Sequence, residues 1–186
     1  MGASSALNRL NQLTTVAMYA MSAVALSAFM TTHFLEKTTD VQLKIHKTQV
    51  KKLQEFQDTR KKNDAGFLTF DVEFDSRPLW NWNTKQLYLY LVVSYQTENN
   101  DINDVTIWDK IIHRHQYQHK ISQKVSFKKY KNKYYFFDDG NGLIGNKNMT
   151  LQLYWNAVPN VGHFWLVQGK GSQKFEFDPE YSTSRF

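Results

Sequence analysis

Between Arg9 and His33 no residue carries a charge. That silence constrains the chain more than any other feature, because a helix of about 20 residues rising 1.5 Å each spans the roughly 30 Å hydrocarbon layer of a membrane. The segment predicts a crossing helix over residues 13–33. A short tail, 1–12, precedes it, and one domain, 34–186, follows. The helix is built mainly from Ala, Ser, Thr and Met, and Ala23-Val24-Ala25 supplies the small-x-small pattern that a processing enzyme accepts. A cut after Ala25 would release a secreted domain. Yet the apolar run continues through Leu26, Phe29 and Met30, beyond the about 7 to 15 residues that a removable signal needs. Taken alone, these residues leave cleaved signal and retained anchor both open.

The leading tail carries Arg9 and the amino terminus with no acid, so the positive-inside tendency holds it in the cytosol and sends the rest to the lumen. On a helix, Val16, Ala20, Ala23, Ser27 and Met30 share one stripe, and small residues there allow a partner helix to approach closely. An alanine-rich span with no preferred face reads equally well. Met1-Gly2 opens like an acylation site, but Ala6 stands where Ser or Thr is required. The net charge of +6 matters for nucleic acid only where nucleic acid is present, and a lumenal domain meets none. With no cysteine in the chain, disulfides and thiolate metal sites are excluded.

After Val41 the hydrophobic period becomes two. Leu68, Phe70, Val72 and Phe74 alternate with Thr69, Asp71, Glu73 and Asp75, the pattern of a strand with one face in a core. Gln86–Thr97 is apolar or aromatic on both faces, as a central strand would be. Val105–Ile112, Tyr134–Phe137, Met149–Ala157, Phe164–Val167 and Phe175–Phe177 bring the set to about eight short strands, typical of an antiparallel β-sandwich. Turn residues separate them at Glu98–Asp101, Asp138–Gly142 and Gly169–Gly171. The polar interlude His46–Gly66 reads as a long loop with a helical turn. The fold class expected is all-β, an antiparallel sandwich behind one N-terminal transmembrane helix, with strand order not legible.

Four stretches invite chemistry. His113, His115 and His119 would share one strand face, and imidazoles two apart can hold zinc, but Lys110, Arg114 and Lys120 crowd them and no carboxylate stands close behind. Asp138-Asp139-Gly140-Asn141-Gly142 resembles a calcium loop without its spacing, since the acids are adjacent, so a tight turn is expected. No G-x-S-x-G elbow marks a serine nucleophile. Val125–Phe137 interleaves lysines with aromatics as single-strand binders do, although lysines on an open sheet edge or beside acidic lipid headgroups give the same pattern. No catalytic residue, metal or cofactor is expected.

Asn148-Met149-Thr150 is the sole N-x-S/T triplet. In a strand starting there, Met149, Leu151, Leu153 and Trp155 take the core face and Asn148, Thr150 and Gln152 the wet one, so Asn148 could carry a glycan. A rival use of the domain is carbohydrate binding on Trp80 and Trp82.

The chain resembles the signal peptidase complex subunit 3 family of the eukaryotic microsomal enzyme. The likeness runs through Gly66–Asp75, Trp80–Leu91, Val105–Ile112 and, most specifically, "YYFFDDGNGLIGNKNMTLQLYWNAVPNVG" at Tyr134–Gly162. His113–Asn132 departs from it by being more basic and richer in histidine. The resemblance implies a type II protein of the endoplasmic reticulum membrane. It also implies a non-catalytic subunit that assembles with the catalytic serine subunit and the complex's other subunits, with Asn148 as the glycosylated asparagine. The apolar segment is then an uncut anchor.

Overall fold

The computed structural model of the chain describes residues 2–54, 61–98, 100–114 and 124–184. One helix, α1 (Gly2–His33), leads into β1 (Val41–Gln54), β2 (Lys62–Asp75), β3 (Thr84–Tyr95), β4 (Asn103–His113), β5 (Lys124–Lys131), β6 (Phe136–Phe137), β7 (Met149–Pro159) and β8 (Trp165–Phe175). The strands form two antiparallel sheets. The first runs β1-β2-β5 with β6 also on β2, and the second runs β4-β3-β7-β8. The expected all-β sandwich behind one helix is what the chain forms.

Alternation in the sequence becomes the core. Leu68, Phe70, Val72 and Phe74 of β2 face Leu87, Leu89 and Leu91 of β3 and Met149, Leu151, Leu153 and Trp155 of β7, all buried. Phe74 stacks on Trp155 with ring centroids 6.4 Å apart, and Phe70 meets Trp108 edge-on at 6.2 Å. Burying one such side chain is worth about 1.5–3 kcal/mol. A one-residue slip would turn the whole row to water, so the core face also fixes register.

Two expectations fail here. His46–Gly66 is not a long loop: β1 continues to Gln54 and β2 starts at Lys62, pairing through Gln54↔Lys62. The pattern misleads because this part of β1 lies at a sheet edge, where only Gln49 and Val50 are buried and Lys47, Lys52 and Gln54 meet solvent. Its cover is non-local: Ser182 N–H donates to the Val50 carbonyl at 2.8 Å, and the Gln49 amide donates to Ser182 Oγ at 2.7 Å. Gly169–Gly171 is likewise not a turn but the middle of β8. Both glycines serve close approach, since a Cβ on Gly169 would lie 2.5 Å from Val41 Cγ2.

The strand β5 explains the alternation of lysine with aromatics. Lys128, Lys129 and Lys131 point to solvent while Phe127 turns inward against Trp108, centroids 5.2 Å apart. Lysines along an edge strand discourage pairing with a foreign strand.

Candidate anchoring and docking surfaces

The helix does not end free in solvent; its last two turns are seated in the sandwich. Thr32 and Ala28 are buried, and Thr32 Oγ1 donates to the Ala28 carbonyl at 2.8 Å while accepting from Asn83 Nδ2 at 3.1 Å. Asn83, itself buried, also donates to the Val161 carbonyl at 2.7 Å and accepts from Val161 N–H at 3.1 Å. Asn160 N–H adds a bond to the Asn83 carbonyl at 2.7 Å. One asparagine thus ties α1, the β2–β3 connection and the β7–β8 loop together. Gly162 lies on Phe29, where a Cβ would come within 2.8 Å of the ring. Asn83 escapes sequence analysis, since nothing local distinguishes it from Asn81 within "WNWN".

Below the seat, His33 packs edge-on against Phe29, Phe34 and Trp165, with centroids 4.9–5.1 Å apart. Its Nδ1 is buried without a hydrogen-bond partner. Lys37 closes the last turn, donating to the His33 carbonyl at 2.6 Å and standing 4.8 Å above the Trp165 ring. Burial pushes the Lys37 ammonium pKa down. Trp155 Nε1 donates to the Lys37 carbonyl at 3.0 Å, so the linker is bound to a core residue.

Beyond the seat α1 stands clear of the domain. Val16, Ala20, Ala23 and Ser27 are all exposed, and Met30 with them. The hydroxyls of Thr14, Thr15, Ser27 and Thr31 donate to carbonyls four residues back at 2.8–2.9 Å, which satisfies them within the helix itself. Ser5–His33 is long and apolar enough to cross a bilayer and fits a membrane anchor.

At the opposite end of the sandwich sits the turn Asp138–Gly142. Asp138 is buried and accepts from Tyr95 Oη at 2.8 Å and from the Gly142 and Gly140 N–H groups at 2.8 and 3.2 Å. Asp64, fully buried, accepts from Leu143 and Ile144 N–H at 3.3 and 3.1 Å and from Tyr181 Oη at 2.9 Å. Both carboxylates are spent on protein donors, and the stretch is a capped turn. Burial foremost, and then the bond to Asp138, push the Tyr95 pKa up. Asn148 is exposed at the start of β7, where its N–H bonds Asn146 Oδ1 at 2.9 Å. As β7 is 11 residues long and its Pro159 end adjoins the helix seat, Asn148 lies roughly 35 Å further from α1.

Of the three histidines, the structure describes only His113, at the end of β4; His115 and His119 lie outside the described residues. Among the described residues no group of three His, Asp or Glu is placed to hold a metal. Trp80 and Trp82 form no shared platform: Trp80 packs against the core, whereas Trp82 is 59% exposed beside α1. The outer face of the second sheet is the aromatic one. Tyr88, Tyr90 and Tyr154 stack in a row with centroids 5.6 and 5.7 Å apart, flanked by exposed Ile111 and Leu166. Burial raises the Tyr90 and Tyr154 pKa values and keeps both hydroxyls neutral.

A sandwich seated on its own apolar helix, with a polar cap at the far end, is the architecture of a tethered domain. Residues 3–180 match the family described as "Signal peptidase subunit", and the chain belongs to that family. It is 40% identical over 179 residues to the human protein named "Signal peptidase complex subunit 3", covering 96% of this chain and 97% of that one. The Drosophila melanogaster protein of the same name is 39% identical over 178 residues, with 96% and 97% covered. A Mus musculus protein named "Adipocyte-related X-chromosome expressed sequence 1" is 39% identical over 181 residues, with 97% and 98% covered.

Proposed function

We propose that this chain is a non-catalytic accessory subunit of the endoplasmic reticulum signal peptidase complex, serving the removal of signal peptides from nascent secretory and membrane proteins. The observation that carries the reading is its kinship, over nearly the full length of both chains, to proteins named for that complex. Residues 1–12 form the cytosolic tail, 13–33 an uncut signal-anchor, and 34–186 the lumenal domain, in type II orientation. The charge balance about the span supports that orientation, because Arg9 stands on the N-terminal side without an acid. The seat supports retention of the anchor, since a cut after Ala25 would strip it of most of the apolar helix.

The partners are the catalytic serine subunit and the other subunits of the complex. The exposed stripe Val16, Ala20, Ala23 and Ser27 faces a partner helix in the bilayer, with the close approach that small residues allow centred on Val16 and Ala20, because Ala23 and Ser27 border Trp82. The tyrosine row on the outer sheet face meets the catalytic subunit's lumenal domain, because stacked aromatics offer a large rigid area at low entropic cost. Asn148 carries a glycan at the far end, on the sheet face that Tyr154 shares but roughly 20 Å along β7 from it.

Pulling on a C-terminal tag from membranes in mild detergent should recover a serine signal peptidase subunit with cleavage activity. Bait peptides from upstream of Ala25 should appear, and the bait should gain mobility on glycosidase treatment, a gain that N148Q abolishes. Recovery of the bait alone, beginning near Leu26, would sink the reading. In the same assay Tyr90→Asp should cut partner recovery by roughly tenfold, the effect of losing about 1.4 kcal/mol of contact. Charge reversal at Lys128 or Lys131 should leave recovery unchanged, and equal tolerance of both would reject the tyrosine face as the docking surface.

A further inference from the structure

We infer that the end of the sandwich around the helix seat is itself a bilayer-binding surface, with Trp82 and Phe164 inserted at the headgroup level beside α1. The inference rests on α1 crossing the membrane and goes beyond the assembly proposed above.

The register of the helix sets the depth. The apolar run Leu13–Met30 rises about 27 Å, close to the hydrocarbon thickness, and ends near the boundary at Met30. Trp82 does not lie beyond that boundary. Its indole and the helix residues Ala23, Val24, Ser27, Ala28 and Thr31 line one open groove of about 340 Å³, so the ring sits level with the last turns of the apolar run. Tryptophan with an apolar body and a polar N–H is the residue that membrane interfaces favour.

The neighbours agree. Phe164 is 61% exposed and Phe34 87% exposed, on the loop and the linker that surround the same helix end. Neither the stretch Pro78–Thr84 nor Val158–Gln168 contains an Asp, Glu, Lys or Arg. Backbone that approaches hydrocarbon must have its polar groups satisfied internally, and Asn83 does this for the β7–β8 loop by bonding Asn160 N–H, Val161 N–H and the Val161 carbonyl. Gly162 presses the loop onto Phe29, which sets its height along α1. Insertion therefore adds to the Asn83 seat in fixing the tilt of the sandwich over the membrane.

The chain has no cysteine, so single-cysteine variants can be labelled cleanly. Trp82→Cys, Phe164→Cys, Met21→Cys in mid-span and Lys52→Cys on the far part of β1 would carry an environment-sensitive fluorophore. The full chain, with the subunits it retains, would be reconstituted into phosphatidylcholine vesicles containing nitroxide lipids labelled near the headgroup or deep in the acyl chain. The shallow nitroxide should quench positions 82 and 164 roughly threefold more than position 52, as interfacial insertion requires, while the deep one quenches position 21. Quenching at 82 and 164 no stronger than at 52, with 21 quenched, would overturn the inference and mean that water or a partner helix covers the loops. Absent quenching at 21 would remove its premise, the span itself. Two probe sites on separate loops keep the result readable if one variant packs badly.

Discussion

Asp64→Ala is expected to lower the stability of the sandwich by about 3 kcal/mol, because it strands the buried Leu143 N–H, and with it the partly buried Ile144 N–H and Tyr181 hydroxyl, at roughly 1–3 kcal/mol for a buried donor and less for the other two. Asp64 is completely buried, and its carboxylate is the hub on which Leu143 N–H, Ile144 N–H and Tyr181 Oη converge. Its own backbone joins in, accepting from Asp138 N–H at 3.0 Å and donating to the Gly140 carbonyl at 2.9 Å. Losing the carboxylate leaves these main-chain bonds in place but should loosen the Leu143–Ile144 turn and the C-terminal segment together. For a chain of this size the loss corresponds to a fall in Tm of about 6–12 °C in the detergent-purified protein. Asp64→Asn, which keeps one carbonyl oxygen, should cost about half as much. A fall below about 2 °C for Asp64→Ala would contradict the reading of this carboxylate as a structural hub.

The core was legible because its signal is local. Leu68–Phe74 and Met149–Trp155 each display their buried face in the order of their own residues, and the structure buries those faces. What failed to show was whatever depends on a distant segment. His46–Gln54 looks like loop because its polar side chains suit an edge strand, and its cover comes from Ser182. Gly169-Lys170-Gly171 has the composition of a turn, yet its glycines answer to Val41, more than a hundred positions earlier. The surfaces divide in the same way. The apolar span can be read from its lack of charge alone, and it forms a single helix. Asn83 and the stacked tyrosines cannot, since an asparagine becomes a clamp only when three elements meet around it, and Tyr154 joins Tyr88 and Tyr90 only through the pairing of β3 with β7.

Gly171→Ala is expected to detach the linker from the domain while leaving the far end of the sandwich folded. Gly171 has φ of +136°, and a Cβ there would sit 2.3 Å from the Val41 carbonyl oxygen, a backbone atom that cannot rotate away. Strain at such a φ costs roughly 1–3 kcal/mol and overpacking a similar amount, so a total of about 3 kcal/mol is expected. The load falls where β1 begins, because Lys170 N–H bonds the Thr39 carbonyl at 3.0 Å and Asp40 bridges to Lys170. The chain relieves it most cheaply by releasing Thr39–Val41, since local opening exposes far less core than global unfolding. Protease cleavage within Phe34–Asp40 should then accelerate by about 100-fold, the equivalent of about 3 kcal/mol in the opening equilibrium. Ser172→Ala, an exposed neighbour in the same strand, should leave cleavage unchanged. If Gly171→Ala instead unfolds the whole domain without prior cutting in the linker, the start of β1 and the core form one cooperative unit. The glycines of β8 would then serve the sandwich itself as much as its seat on the helix.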